Sequence, residues 1–179
     1  ARATNPDVEV DVLVEGQGFN NSLHQRGFVP VDIFGKPNFI KELAEHFLAR
    51  KHDCVVVVGA AVMDGYYHPL VSAKLLASLD LAAAAGIKSF ILGFSFNEAP
   101  HPALAGFYRA LHPRVSLNVR DAVSLERLKN FAPVQAVLVA DSAFSLTSED
   151  PDEDTNAWIA QKRAQGYRVM GFNLHPLLF

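Results

Sequence analysis

Cys54-Val55-Val56-Val57-Val58-Gly59 is an apolar run with no polar alternation, closed by a glycine. Such a run suits a strand covered on both faces of a parallel sheet, and it is expected at the sheet's centre. Outward from it, short β-rich runs recur at Val8–Val14, Phe28–Ile33, Ser89–Gly93, Val115–Val119, Ala136–Val139 and Arg168–Phe172. Helical patterns fill the intervals over Asn38–Arg50, Pro69–Ala85, Pro102–Leu111, Ala122–Asn130 and Asp154–Gln165. Asn38, Asp121 and Asp154 stand where N-caps belong, and Gly86 and Gly166 follow helices as C-terminal stops. Strand, helix and strand at this spacing predict right-handed βαβ crossovers, hence a soluble α/β domain with a Rossmann-like parallel sheet and flanking helices.

The chain has 179 residues, half of them apolar, which suffices for a sizeable core. A formal charge of −3 with interspersed signs argues against a nucleic-acid partner. The single cysteine, Cys54, excludes an intramolecular disulfide and a cysteine-based metal site, and fits a reducing compartment. The longest apolar stretches are broken by Asp64, Lys74 or Asp80, so no transmembrane segment is expected. Ala1–Pro6 has neither an initiator Met nor a signal-peptide core, so Ala1 is not taken as the natural start. The acidic run Thr147–Asp154 reads as a linker, which divides the chain into a domain over 1–146, the linker over 147–154, and over 155–179 a helix and first strand of a truncated second domain.

Several motifs compete for the chemistry. Gly16-Gln17-Gly18 follows the first strand, but the third glycine of a dinucleotide fingerprint falls on Asn21 and no helix is expected promptly after it. Gly93-Phe94-Ser95 resembles a nucleophile elbow, and Ser95, Asp141 and His175 come in the chain order of an α/β-hydrolase triad. The Glu98-Ala99-Pro100-His101-Pro102 segment that follows imposes an extended loop where an elbow needs a helix. Glu42 and His46 share a helix face without further metal ligands, and His52, His101 and His112 have no identifiable partner, so no metal is expected. Three strand ends stand out, since ligands of open parallel sheets bind beyond the carboxyl ends of the strands. Gly59 to Asp64, Gly93 to Asn97 and Arg120-Asp121 are expected to converge on one crevice. There the small residues at 59 to 61 would admit a ligand's approach, Asp64 would accept from sugar hydroxyls, and Arg120 offers a planar fork for carboxylate or phosphate, unless it pairs with a carboxylate of the chain.

Taken in order, these junctions resemble the polysaccharide pyruvyltransferase family. A hydrophobic strand runs into a small-residue turn ending in Asp64, followed by Gly93-Phe94-Ser95, then Arg120-Asp121-Ala122-Val123-Ser124, then Asp141-Ser142-Ala143-Phe144. Gly171-Phe172-Asn173-Leu174 resembles the opening strand of the family's second domain. Ala60 and Ala61 stand where members usually carry glycines, and Phe96-Asn97 replaces the usual continuation of the serine loop. The resemblance implies one half of a two-domain fold like that of GT-B glycosyltransferases. It further implies transfer of a pyruvyl group from phosphoenolpyruvate to a saccharide acceptor as a ketal, in exopolysaccharide biosynthesis, without a cofactor and in the cytoplasm. The rival readings are a sugar-nucleotide glycosyltransferase and a non-catalytic carbohydrate-binding domain. In the pyruvyltransferase reading Asp64 and Arg120 are the catalytic candidates, and Gly59, Ser95, Asn97, Arg120 and Asn173 the substrate-binding ones. Ser124 and Asp141 are expected to support the junctions. No residue is assigned as the acid, a homo-oligomer is compatible with the sequence, and the 179-residue chain alone is expected to lack transferase activity.

Overall fold

The computed structural model describes residues 7–18, 20–145 and 153–170. The chain divides into two compact units, Ala1–Ser142 and Ala143–Phe179. In the first, the order is β1 (Asp11–Val14), α1 (Asn20–Gln25), β2 (Val29–Asp32), α2 (Phe39–Ala49), β3 (Cys54–Val58), α3 (Pro69–Ala84), β4 (Lys88–Phe94), α4 (Leu104–Ala110), β5 (Val115–Val119), α5 (Ala122–Phe131) and β6 (Ala136–Leu138). β1 pairs with β2, and β3, β4, β5 and β6 pair in that order, every pairing parallel. Parallel neighbours need a crossover, and each of the three in the larger sheet holds a helix. The architecture is the expected Rossmann-like one, a parallel sheet flanked by helices.

Local chemistry accounts for the helix bounds. Pro69 opens α3, where its fixed φ suits the first turn and its missing N–H is not needed. Gly86 closes α3 in the left-handed region, with φ +85°. Between them α3 buries Leu76, Leu79, Ala82 and Ala83 against β3 and β4. Each fully buried leucine there contributes about 2 kcal/mol of apolar burial. Its buried serines stay satisfied: the Ser72 hydroxyl lies on the carbonyls of Val62 and His68, and that of Ser78 donates to Lys74 O at 2.8 Å. Phe96, Tyr108 and Phe131 stack edgewise or tilted beside this core. The Tyr108 hydroxyl donates to Met63 O at 3.0 Å, and burial, with the charge of Asp64, pushes it far above its ordinary pKa, keeping it a donor.

The four-valine strand is not central. Among the described residues β3 forms the edge of the larger sheet, with Val56 and Val58 exposed at 43% and 69%, whereas Val57 is buried. Register explains the alternation. Val56, Phe90 and Ser116 share a row that is half-covered at best, while the neighbouring rows carrying Val57, Ile91 and Leu117 are buried beneath helices. An unbroken apolar run does not distinguish an edge from a centre, because strand order is decided by partners distant in sequence.

A further departure concerns the start of the chain. A short helix, α1, follows Gly16-Gln17-Gly18 closely, contrary to the expectation of none. Gly16 N is nonetheless engaged, donating to Asp32 Oδ1 at 2.8 Å. β4 also carries a bulge. Ile91 pairs with Leu117 but Phe94 with Val119, so β4 has one residue in excess there, and Asn118 Nδ2 donates to Ile91 O at 2.7 Å beside it.

In the second unit, α6 (Glu153–Ala164) starts one residue before the expected cap, so Asp154 falls in the first turn, where its charge still suits the helix N-terminus. Gly166 stops it at φ +83°. Arg168–Met170 shows no strand, and the rest of that predicted strand, together with residues 147–152 of the acidic run, lies outside the described residues.

Candidate functional site at the strand ends

Because the strands are parallel and adjacent, the carboxyl ends of β3, β4 and β5 lie side by side, and backbone bonds continue past them. Ser95 N donates to Ala60 O at 2.8 Å, and Arg120 N to Phe94 O at 3.0 Å. This close lacing demands small residues. A side chain on Gly93 would stand 3.0 Å from Ala140 O and 3.1 Å from Arg120 Cβ. One on Gly59 would meet Phe94 and Ile91 within 2.7 Å, so that glycine is required by the packing of β4, and the approach it permits is that of a strand. Ala60 sits at φ +42°, a left-handed conformation that favours glycine.

Asp121 is the hub. Its Oδ1 accepts Ser124 N at 2.7 Å, which caps α5 as expected, while Oδ2 accepts the hydroxyls of Ser124 at 2.8 Å and Ser95 at 3.2 Å. Ser124 in turn accepts Phe96 N at 2.8 Å. Desolvation pushes the Asp121 carboxyl up, but the Ser124 amide and hydroxyl, the Ser95 hydroxyl and the Arg120 charge together outweigh it and hold the group below its ordinary value. Arg120 leans on the same hub: its Nε donates to Ser95 Oγ at 2.7 Å and its Nη1 to Asp141 Oδ2 at 2.9 Å. Thus Arg120 does pair with a carboxylate, yet among the described residues its Nη2 has no hydrogen-bond partner. The side chain is 30% exposed.

Asp64 is 2% exposed, and both carboxylate oxygens receive backbone amides, Oδ1 from Tyr66 at 2.8 Å and Oδ2 from Asn97 at 2.9 Å. It therefore ties the turn after β3 to the loop after β4. Asn97 Oδ1 accepts Ala99 N at 3.1 Å. Between these groups lies a recess of about 230 Å³ lined by Asp64, Tyr67, Ser95, Asn97, Asp121 and Arg127, among others. A larger hollow of about 450 Å³ is lined almost entirely from one helix and its cap, by Asn38, Lys41, Glu42, Glu45, His46 and Ala49, with Ile33 beside them. The smaller recess is the better site, since polar groups from three strand ends meet there.

The structure thus brings together Asp64, Ser95, Asn97 and the neighbouring Arg120. Gly59 is not among the lining residues and packs instead against Phe94 and Ile91, and Asn173 falls outside the described residues. Ser95 is bonded to Asp121 and Arg120, while Asp141 serves Arg120, an arrangement unlike a hydrolase triad. Sequence reasoning missed Arg127, whose Nη1 donates to Phe96 O and Nη2 to Glu98, both at 3.3 Å. The signal was available in the three-residue spacing of Asp121, Ser124 and Arg127, which places them along one side of α5.

A family model for polysaccharide pyruvyl transferase matches residues 2–171. No curated protein and no solved structure gives a match. The matched span includes every element of the recess. The chain belongs to the polysaccharide pyruvyl transferase family, a family of transferases.

Proposed function

From that membership we propose that the strand-end recess binds phosphoenolpyruvate beside a saccharide acceptor, on the way to a pyruvate ketal. The reaction adds one sugar hydroxyl to C2 of the enol while the methylene carbon takes up a proton and becomes methyl. A second hydroxyl then displaces phosphate from C2, its proton leaving with the phosphate. Both steps need fixed cations for the carboxylate and phosphate, and acceptors for the hydroxyl protons. Arg120 is the anion-binding catalytic residue: Ser95 and Asp141 fix its plane, and its Nη2 is left to meet a ligand oxygen. Arg127 adds a second cation on the recess wall. Asp64 orients acceptor hydroxyls through lone pairs not used by Tyr66 and Asn97, while Ser95 and Asn97 line the same recess.

The observation that carries this reading is the pre-oriented Arg120 fork beside a polar recess at the carboxyl ends of parallel strands. Amide chemical shifts of the chain test it. Phosphoenolpyruvate should shift Ser95, Asn97 and Arg120 saturably, and Arg120→Ala should move saturation of the remaining shifts to roughly 10–100-fold higher concentration. If a sugar nucleotide moves those amides and phosphoenolpyruvate does not, the glycosyltransferase reading replaces this one.

A further inference from the structure

At the opposite, amino-terminal ends of the strands, three side chains from separate elements converge. Asp11 is the first residue of β1, His46 lies in the last turn of α2, and His52 sits in the connection entering β3. His46 Nε2 and His52 Nε2 each stand 3.2 Å from Asp11 Oδ2, and the three ligand atoms all fall within 4.8 Å of one another. All three side chains are largely buried, at 14%, 17% and 9% exposure for His46, His52 and Asp11. From these positions we propose that Asp11, His46 and His52 form a structural site for a divalent ion of the zinc class, independent of the transferase recess.

Hydrogen bonding sets the tautomer that such a site requires. His52 Nδ1 lies 3.0 Å from Arg50 O, a carbonyl that can only accept, so Nδ1 carries the hydrogen. In the neutral ring Nε2 then directs a lone pair at Asp11 Oδ2, an arrangement that needs a bridging cation or a second ring proton. Metal-bound histidines characteristically donate their other ring N–H to a backbone carbonyl in this way, which fixes the ring and its basicity. The spacing suits the ion as well. Ligands about 2.05 Å from a tetrahedral centre stand about 3.3 Å apart, close to the two His–Asp edges of 3.2 Å. Phe47 holds the His52 ring edge-on, with centroids 5.6 Å apart, and the two imidazoles lie 4.9 Å apart. Arg50 Nη1 is an ion-pair neighbour of Asp11 Oδ1 at 3.2 Å without hydrogen-bond alignment, and its Nη2 is drawn to Glu9 at 3.3 Å. Its positive charge is thereby shared by two carboxylates. Two imidazoles and one carboxylate are the donor set of zinc-class ions, with water completing the shell.

The ion would fasten β1 and α2 to the entry of β3. Among the described residues no ladder joins the two sheets, so the fastening adds a connection that backbone pairing does not supply. The test uses the full chain stripped with a chelator and titrated with Zn²⁺ or Co²⁺ alone. One equivalent should bind, Co²⁺ should give the intense visible band of a low-coordinate site, and the melting temperature should rise with metal concentration. His46→Ala and His52→Ala should each weaken binding at least roughly a hundredfold, while His24→Ala and His101→Ala should leave it unchanged. A variant that fails to fold is bypassed by histidine carbethoxylation of the unaltered chain, where Zn²⁺ should protect His46 and His52 but not His24 or His101. Absence of a saturable equivalent, retention of binding in the His46→Ala/His52→Ala double variant, or protection elsewhere would overturn the proposal.

Discussion

Replacing Asp121 by alanine should lower stability by about 3 kcal/mol. Loss of an N-cap costs about 1 kcal/mol. The two serine hydroxyls that donate to Oδ2 lose a charged acceptor, a bond worth roughly 1.5–3 kcal/mol each when buried and less at this half-buried position, where water can replace part of it. At about 2–4 °C per kcal/mol for a domain of this size, the midpoint falls by roughly 6–12 °C. Asp121→Asn retains an acceptor for Ser124 N but faces both hydroxyls with an amide donor, so an intermediate loss of about 1–2 kcal/mol is expected. The pH dependence separates charge from capping. The folded carboxyl titrates below its ordinary value, so its stabilisation is fully present above the unfolded pKa of about 3.9 and is lost as pH falls through the lower folded value. Urea melts from neutral pH into the acid range should show a steep acid limb in the parent chain that flattens in Asp121→Asn. A midpoint for Asp121→Ala within about 2 °C of the parent, or an acid limb unchanged in Asp121→Asn, would refute the hub.

Arg120→Ala should weaken phosphoenolpyruvate binding roughly 10–100-fold by calorimetry, and Arg120→Lys by less, because the charge survives but the fork does not; equal affinities would remove Arg120 from the site. Gly93→Ala should cost about 1–3 kcal/mol, since the new methyl meets a backbone oxygen that cannot yield. Gly106→Ala, inside α4 with open space around it, should instead stabilise by about 0.5–1 kcal/mol, and a reversed order in thermal melts would contradict the packing described. Val58→Thr should change stability by less than about 0.5 kcal/mol and Val57→Ala by about 2 kcal/mol, so similar denaturation midpoints would argue against the one-sided burial of β3.

What was legible in the sequence was what short-range chemistry determines. Cys54–Val58 and Val115–Val119 have the bounds expected of them, and α5 starts at Ala122 because Asp121 caps it within three residues. Gly86 and Gly166 stop their helices at positive φ, another decision taken locally. The ordered strand-end motifs likewise pointed to the recess, because parallel neighbours must present their carboxyl ends together. The edge position of β3 was not legible, since strand order is decided by partners distant in sequence, and the exposure of Val56 and Val58 among the described residues depends on what packs on their face rather than on their own character. Nor was α1, a polar six-residue helix without a buried residue or an apolar stripe to announce it. The meeting of His46, His52 and Asp11 depends on bringing together positions 41 residues apart, which no spacing rule anticipates.

The single excess residue in β4 acts as a phase shift. Up to Ile91 the buried side chains fall on odd positions, but after the bulge Phe94 and Phe96 take the inward places. Ser95 is thereby delivered to Asp121 and Arg120. Removing Leu92 would restore regular pairing, with Ile91 still opposite Leu117 and Phe94 still opposite Val119, so Phe96 and Ser95 would keep their sides. The bulge is therefore slack in β4, and a one-residue deletion inside it should be absorbed. A deletion of Ser95 has no such slack, because it would put Phe96 where Ser95 stands and empty its place in the aromatic cluster with Tyr108 and Phe131. The strand should tolerate a change of count before Phe94 and almost none after it.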